Sequence, residues 1–374
     1  MNKFNKIDNK LNTQSVLSMK SSGYYSEKTI GAKIAIDSTQ ILIEKAIKEI
    51  PKASVLRIAD FGSADGGTSQ ELWCNLIKKI RSKDKRPIEI LYTDLASNDF
   101  STLFRIMQGM QGNSNFAYQN LFNEVYVHGC GTGFHKQLMS ENSLSLGFSA
   151  TAMHYVSEKP CHINDHVHMV GANVEVKEKF KYQALKDWES ILLNRSKELI
   201  SGGRFICINF GIDEKGRYLG NTGGHNMFDK FTYYWKHLEK ENTITNEEFI
   251  TATFTQHYRT VEEFKKPFKN PDSIVSKSGL RLKSCKTMLT DCPYKTNYQN
   301  NKKTITAKEY AANLLPTMRS WSETVFRTAL AGRKEEEINE IVNRFYNLYQ
   351  EEIALDPEGH AMDYVHVIMD IEKI

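Results

Sequence analysis

The chain has 374 residues, of which 40% are hydrophobic and 25% charged, an ordinary balance for a globular protein that buries a sizeable core. This length fits one large domain or two modest ones. With 49 basic and 45 acidic residues the net charge is only +4, which gives no electrostatic basis for binding nucleic acid or an anionic membrane. Neither is therefore expected as a partner.

The six cysteines contain no C-x-x-C pair, and several lie in apolar runs, which is typical of buried thiols in a reducing cytoplasm. The first 20 residues are polar and lack an apolar block of signal-peptide length. No later apolar run has the length of a membrane span. We therefore expect a cytoplasmic protein without an export signal.

Strand-like and helix-like patterns alternate along the first 211 residues. SVLRIADF predicts a strand, TSQELWCNLIKKI a helix with one apolar stripe, and IEILYTDL a second strand, which together make a βαβ unit. Two further strands, NSLSLGFSA and SGGRFICINFG, flank a long amphipathic helix over KYQALKDWESILLNRSKELI. The alternation predicts an α/β fold with a doubly wound, Rossmann-like sheet.

The pattern changes near Ile212, where loop residues, aromatics and helical spacing replace the strand signals. This change predicts a mainly helical cap inserted at 212–275, while 1–211 and 276–374 form the α/β core with its N-terminal segment. Two later strand-like runs, LRLKSCKTMLT and YVHVIMDIEKI, return the chain to a mixed sheet. Parts of the helical stretch 294–345 could belong to either unit.

A glycine turn, IADFGSADGGTSQ, follows the first predicted strand and leads into a helix. Gly62 has no Cβ and can approach a ligand closely, and the helix N-terminus offers free N–H groups. The pattern is G-x-x-x-G-G rather than G-x-G-x-x-G, and the nearest strand-ending acid, Asp94, lies 32 residues after Gly62, which disfavours NAD. Asp94 suits an adenosine ribose, although a purely structural turn explains the same features.

Five segments of the chain, in matching order and spacing, resemble the SABATH family of S-adenosylmethionine-dependent carboxyl methyltransferases. They are VLSMKSSGYYSEKT, IADFGSADGGTS, YTDLASNDFSTLF, VHGCGTGFHKQLMSENSLSLGFSATAMHYVSEKP and LKDWESILLNRSKELISGGR. The resemblance implies a class I methyltransferase fold, S-adenosylmethionine as cofactor, a small carboxylic acid as substrate and a homodimer. In the family the N-terminal segment folds over the bound ligands.

The resemblance also implies roles for individual residues. Asp94 and Leu95 match a ribose clamp and an apolar cover for adenine, and Phe134 matches the aromatic residue beside adenine. The residues expected to bind the cofactor are Tyr25, Thr29, Asp60, Gly62, Asp94, Leu95, Phe134 and Ser149.

The block ATAMHYVSEKP supplies the expected acceptor site. His154 matches a family histidine, and Tyr155 replaces a tryptophan that donates a hydrogen bond to the substrate carboxylate, so both are predicted catalytic residues. A carboxylate is already ionised at neutral pH, and neutral donors that align it are sufficient. Expected substrate contacts are Thr151, His154 and Tyr155, with Phe228 and Trp235 from the cap.

Two departures from the family alter the expected acceptor. Thr151 replaces a tyrosine of plant members, and Ala32 stands near a carboxylate-binding glutamine. Both changes remove a polar contact and predict a wider pocket for a longer or bulkier acid than salicylate.

Other functions are weaker alternatives. The run CHINDHVHM places His162 and His166 four residues apart, but no complete ligand set accompanies them, so no metal is expected. The chain has no GxSxG elbow and no Walker motif. N-methylation of a heterocycle, and adenosylmethionine binding without turnover, stay open.

Overall fold

A computed structural model of the protein describes Met19 and residues 22–374. The first part of the predicted N-terminal segment therefore lies outside the described residues. The strands are β1 (Leu56–Phe61), β2 (Ile88–Thr93), β3 (Val125–Cys130), β4 (Leu144–Ala150), β5 (Leu199–Ile212), β6 (Arg259–Thr260), β7 (Leu280–Thr290) and β8 (Tyr364–Lys373).

The helices alternate with the strands up to β5 and then dominate the chain. They are α1 (Tyr24–Lys28), α2 (Ile30–Asp37), α3 (Gln40–Glu49), α4 (Gly67–Arg81), α5 (Phe100–Met107), α6 (Tyr118–Leu121), α7 (Val174–Glu198), α8 (Met227–Lys240), α9 (Asn246–Thr251), α10 (Val261–Lys269), α11 (Ile274–Lys277), α12 (Pro293–Asn300), α13 (Ala307–Ala329) and α14 (Glu335–Leu355). Among the described helices, none combines the length and apolarity needed to cross a bilayer.

The sheet has the order β3-β2-β1-β4-β5-β8-β7, with the short β6 beside β5. Strands β1 to β5 run parallel, whereas β8 is antiparallel to both β5 and β7. The predicted doubly wound mixed sheet is confirmed. The chain builds outward from β1 through β2 and β3, then crosses to β4 on the other side of β1. Ligands of such sheets bind at the carboxyl ends of the strands flanking this switch point.

Side-chain periodicity explains how the helices cover the sheet. Strand β4 is buried at every position because helices cover both of its faces, as in a parallel sheet of an α/β fold. On α4, Leu72, Trp73, Leu76 and Ile77 are buried against one face together with apolar residues of α2 and α3. Helix α7 packs on the opposite face.

Hydrophobic packing divides the predicted cap segment 212–275 between two clusters. Helices α8 and α9 share one hydrophobic cluster with α13 and α14, which come from the stretch 294–345. Helices α10 and α11 instead contribute Val261, Phe264 and Val275 to the cluster beneath α7. Helix α8 packs on α13 and α14 because its aromatic face buries a large apolar area only against other large side chains. Phe326 of α13 and Phe345 of α14 supply them through their contacts with Trp235.

This packing also changes the interpretation of Phe228 and Trp235, which were predicted to contact substrate. Both are fully buried within the cap cluster. Phe228 stacks on His168 at a centroid distance of 4.0 Å, and Trp235 packs between Phe326 and Phe345. Neither lines the cavities of the candidate site, because the aromatic side of α8 faces α13 and α14.

Trp235→Ala should lower the free energy of unfolding by about 3 to 5 kcal/mol, the range for removing a buried aromatic side chain. Tyr233→Ala on the same helix is the control, because Tyr233 is 63% exposed whereas Trp235 is 0% exposed, and it should cost less than about 1 kcal/mol. Denaturant titration measures both values. Equal losses would mean that α8 does not pack as described.

Candidate functional site

The glycine turn begins the site at the switch point of the sheet. Gly62 follows β1 with a φ of 76°, a conformation that favours glycine. A Cβ built on Gly62 would lie 2.3 Å from the Cβ of Ala152, which follows β4. The chains after β1 and β4 therefore approach closely, and only glycine fits between them.

An outer cavity of about 500 Å³ opens beside this turn. Its walls include the predicted residues Tyr25, Gly62, Asp94, Leu95, Phe134, Thr151 and Tyr155. Leu95 and Phe134 provide apolar surface of the kind that covers a planar ring. The structure thus brings together residues from five separate segments of the sequence.

Asp94 presents its carboxylate to this cavity. Its Oδ2 accepts a hydrogen bond from the Ala64 N–H and its Oδ1 from the Leu95 N–H, both at 2.7 Å. Burial raises the pKa of Asp94, while these two N–H donors oppose that shift. A carboxylate has about four acceptor positions, so two remain for hydroxyl groups of a ligand. The chemistry of this wall fits a ribose.

Three predicted cofactor residues do not line the outer cavity. Asp60 lies beneath the turn, where its Oδ2 accepts bonds from Ser69 Oγ at 2.7 Å and Trp73 Nε1 at 3.0 Å. Ser149 is fully buried and donates to the Phe61 carbonyl at 2.9 Å. Thr29 lines a second, inner cavity and donates to the Tyr25 carbonyl at 2.7 Å. Asp60 and Ser149 therefore stabilise the backbone beneath the site and do not contribute to the wall of the outer cavity.

The inner cavity lies between the sheet and the cap. It is lined by Met19, Tyr25, Thr29, Thr151, His154, Tyr155, Phe210, Leu219, Gln256, Tyr258, Trp321, Met362 and Tyr364. Only about 20 Å³ is open within it, the room of roughly one water molecule. Among the described residues the inner cavity is therefore narrower than expected, and its lining includes flexible side chains, Met19 and Met362, that can shift to enlarge it.

The two substitutions that predicted a wide pocket have different outcomes. Ala32 is buried in the cap cluster and does not line either of the two cavities. Thr151 lines both cavities, but the tyrosines around it fill the space. Its φ of 52° is unusual for a β-branched residue, and strained backbone of this kind is concentrated at functional sites.

His154 and Tyr155 stand side by side with ring centroids 4.6 Å apart. Burial lowers the pKa of His154 to about 3, so its imidazole is neutral at physiological pH. Burial raises the pKa of Tyr155 above its ordinary value, so its phenol stays protonated. Burial likewise raises the pKa of Tyr25 to about 12. The described wall of the inner cavity therefore offers neutral donors and contains no charged side chain.

Three residues that hold the site were missed by the sequence analysis. Asp65 joins α1 to the glycine turn, accepting bonds from the N–H groups of Ser26 and Gly67, both at 3.1 Å. Arg195 donates to the Phe134 carbonyl at 2.9 Å, and Arg259 donates to the Met153 carbonyl at 2.8 Å. A buried arginine in an apolar pattern is the signal that could have identified the last two.

The histidine-rich run does not gather a metal site among the described residues. His166 bonds to Asp229, and His168 packs against Phe228. The metal-type cluster found in the described part of the chain is elsewhere, at His225, Glu352 and His360. There, Glu352 is already engaged by Lys230 and by the Tyr234 hydroxyl.

Comparison with known proteins identifies the family. Residues 16–373 match the model of the SAM-dependent carboxyl methyltransferases, and the chain belongs to this family, which confirms the SABATH resemblance and S-adenosylmethionine as its cofactor.

Curated relatives match shorter stretches. A probable S-adenosylmethionine-dependent methyltransferase of Arabidopsis thaliana is 30% identical over 57% of this chain and 61% of the relative. Loganic acid O-methyltransferase of Catharanthus roseus is 22% identical over 64% of this chain and 68% of the relative. The chain thus spans about six tenths of the first relative's length.

A solved structure titled as loganic acid methyltransferase with SAH supports the fold. It superposes with a TM-score of 0.73 at 17% identity, covering 96% of this chain and 98% of the other. At this identity the likeness concerns the fold alone.

Proposed function

We propose that the protein transfers a methyl group from S-adenosylmethionine to the carboxylate of a small organic acid, giving a methyl ester. One observation carries this proposal. Tyr25, Thr151 and Tyr155 line both the outer and the inner cavity, so the two compartments meet at these side chains. The outer cavity would hold the donor and the inner cavity the acid, with the methyl group crossing between them.

The residues of the outer cavity would orient the donor. Asp94 would accept the ribose hydroxyls, while Leu95 and Phe134 would enclose the adenine ring. S-Adenosylmethionine supplies an activated methyl sulfonium, and transfer to a carboxylate oxygen leaves S-adenosylhomocysteine without any proton transfer. Gly62 allows the ligand to approach the backbone, because its position has no room for a Cβ.

The residues of the inner cavity would align the acid. Tyr155 and His154 can donate hydrogen bonds to a carboxylate that is already ionised, since its ordinary pKa is about 4. Neutral donors suit this task, because a close ion pair would stabilise the negative charge of the carboxylate and make its oxygen a weaker nucleophile toward the methyl carbon. Holding the reacting atoms in line can supply about 7 kcal/mol in favourable cases. The proposal therefore requires no general base.

Gln256 supplies an amide to the inner cavity, the kind of group that was expected near Ala32. It pairs with Tyr155 in an isolated antiparallel bridge and lines the inner cavity. Its side chain also lowers the pKa of the Tyr155 phenol, opposing burial, which places the two polar groups side by side. Tyr155 and Gln256 would hold the acid together.

The chemistry of the product tests the proposal. The protein should be incubated with a panel of carboxylic acids and heterocycles and with donor labelled in its methyl group. Mass spectrometry should find a labelled product that mild base cleaves to the original acid, because an ester hydrolyses and an N-methyl group does not. A base-stable N-methyl product would contradict the proposal, and so would tight donor binding with no product from any acid.

Asp94→Ala should weaken S-adenosylmethionine binding by about 1.5 to 3 kcal/mol, the range for hydrogen bonds to a charged group. Calorimetry of the folded variant measures the effect. Asp99→Ala is the control, because Asp99 caps α5 through the Thr102 N–H and is not part of the outer cavity wall. Unchanged affinity in Asp94→Ala would remove Asp94 from the donor site.

Tyr155→Phe should reduce methyl transfer to the identified acid by about 10- to 1000-fold, the scale for one positioned donor, while donor binding persists. His154→Ala should fall in the same range. The exposed Tyr182→Phe serves as control and should leave the rate unchanged. Full activity in the double variant of His154 and Tyr155 would contradict their proposed role.

Two further parts of the proposal concern the protein in the cell. All six cysteines are free thiols, which supports a reducing compartment such as the cytoplasm. A homodimer is proposed from the family resemblance.

A further inference from the structure

Several buried hydrogen-bonding atoms in the wall of the inner cavity have no partner within the described part of the chain. Native proteins leave few such buried atoms unpaired, because each unpaired atom carries a desolvation penalty. Five of the thirteen lining residues carry one: His154 at Nδ1, Gln256 at Oε1, Tyr258 at Oη, Trp321 at Nε1 and Tyr364 at Oη.

Tyr258 is the clearest of these groups. Asn209 lies beside His154 and Thr317 beside Tyr364, each near enough to shift the pKa of its neighbour. Burial raises the pKa of Tyr258, and no hydrogen bond from a described residue opposes this shift. Its hydroxyl is therefore a buried, protonated group that lacks a partner in the described structure.

The ring of Tyr258 cannot turn to find a partner. The centroids of His154, His168 and Phe210 lie 5.7, 4.8 and 5.9 Å from it, and Phe228 closes another side. Close packing of this kind fixes the side chain in one rotamer. The cavity that Tyr258 lines is then the open space beside the residue from which a partner for the hydroxyl can come.

A water molecule fits the open space of about 20 Å³, but an acceptor that enters has to displace it. Displacing a bound water with an apolar group that cannot replace its hydrogen bonds loses affinity. The wall thus discriminates against an acid that presents only hydrocarbon to Tyr258.

We infer that the acceptor is an oxygenated acid, with a second, neutral hydrogen-bonding group such as a hydroxyl or carbonyl that meets Tyr258; this inference rests on the proposed function. The second group is neutral because, among the described residues, no Lys or Arg lines the inner cavity. A second carboxylate would be buried there without a cation, which is strongly unfavourable. Tyr258 is therefore a specificity residue, distinct from the pair that holds the reacting carboxylate.

The experiment begins with the best acid from the ester assay and compares it with its analogue in which hydrogen replaces the second oxygen group. We expect kcat/KM for the deoxygenated analogue to be about 10- to 100-fold lower, the loss for leaving one buried polar group unpaired. An analogue with a second carboxylate at the same position should also be rejected. Octanoic acid and cyclohexanecarboxylic acid, each with its hydroxylated forms, provide further matched pairs.

Tyr258→Phe tests which residue is responsible. It should lower kcat/KM for the oxygenated acid, which loses its partner, and raise kcat/KM for the deoxygenated analogue, because no hydroxyl is then left unpaired; the ratio between the two, about 10- to 100-fold in the unmodified protein, should approach one. Tyr218→Phe is the matched control. The ring centroids of Tyr218 and Tyr258 are 6.3 Å apart, but the Tyr218 hydroxyl already accepts a hydrogen bond from Asn226, so this variant should keep the ratio of the unmodified protein.

The two proposals fail in different ways. If the protein esterifies hydrocarbon acids as well as oxygenated ones, the inference about the acceptor is wrong while carboxyl methylation stands. If Tyr258→Phe keeps the preference for the oxygenated acid, Tyr258 is not its source. If the variant does not fold, the ratio measured with the unmodified protein still decides the substrate class. No ester from any acid would overturn the proposed function itself.

Discussion

The site depends on the parallel pairing of β1 with β4 at the switch point of the sheet. Phe61 pairs with Ser149, and the Ser149 hydroxyl bonds to the Phe61 carbonyl at 2.9 Å. The chain leaves these two strands at Gly62 and Thr151. Both residues have a positive φ, and Gly62 also lacks a Cβ. Thr151 and Tyr155, which line both cavities, follow β4 at the switch point. A displacement of either strand would change the distance between the compartments.

The second constraint is that no charged side chain lies in the wall of the inner cavity, as far as the chain is described. Arg259 is fully buried close to it, yet its guanidinium is directed to the carbonyls of Met153 and Ala184. The cation thus fixes the loop that carries His154 and Tyr155 without entering the cavity. Burial keeps the imidazole neutral and the phenols protonated. The result is a compartment that can align an anion without pairing it.

Much of the fold follows from local sequence patterns, whereas the cap does not. The strands β1, β2, β4 and β5 carry strong apolar runs and were predicted. The edge strand β3 was missed, because it is half exposed and lacks a continuous apolar run. The partners of α8 were left open, because α13 lies far along the chain, and hydrophobic periodicity shows that a face is buried without showing what buries it.

In the candidate site, too, local sequence patterns predict some residues, whereas others are brought in by contacts between distant segments. Gly62 and Asp94 could be named from the strand and turn pattern, since each follows a strand end that faces the switch point, whereas Thr151 and Tyr155 were named from the family resemblance. Asp65, Arg195 and Arg259 act by tying separate segments together, and Gln256 and Tyr258 reach the cavity from the loop before β6. No local pattern reports such contacts. The burial of Ala32 and Trp235 likewise depends on the cap.

The central claim is that alignment between neutral groups, without a titrating base, drives methyl transfer. The most direct measurement is kcat/KM for the identified acid as a function of pH. We predict a flat profile from about pH 6 to pH 8, because the acid has already lost its proton. Over the same interval His154, with a pKa of about 3, stays neutral, and Tyr155, with its raised pKa, stays protonated. A rate that rises through an apparent pKa near 7, and loses that rise in His154→Ala, would contradict the account.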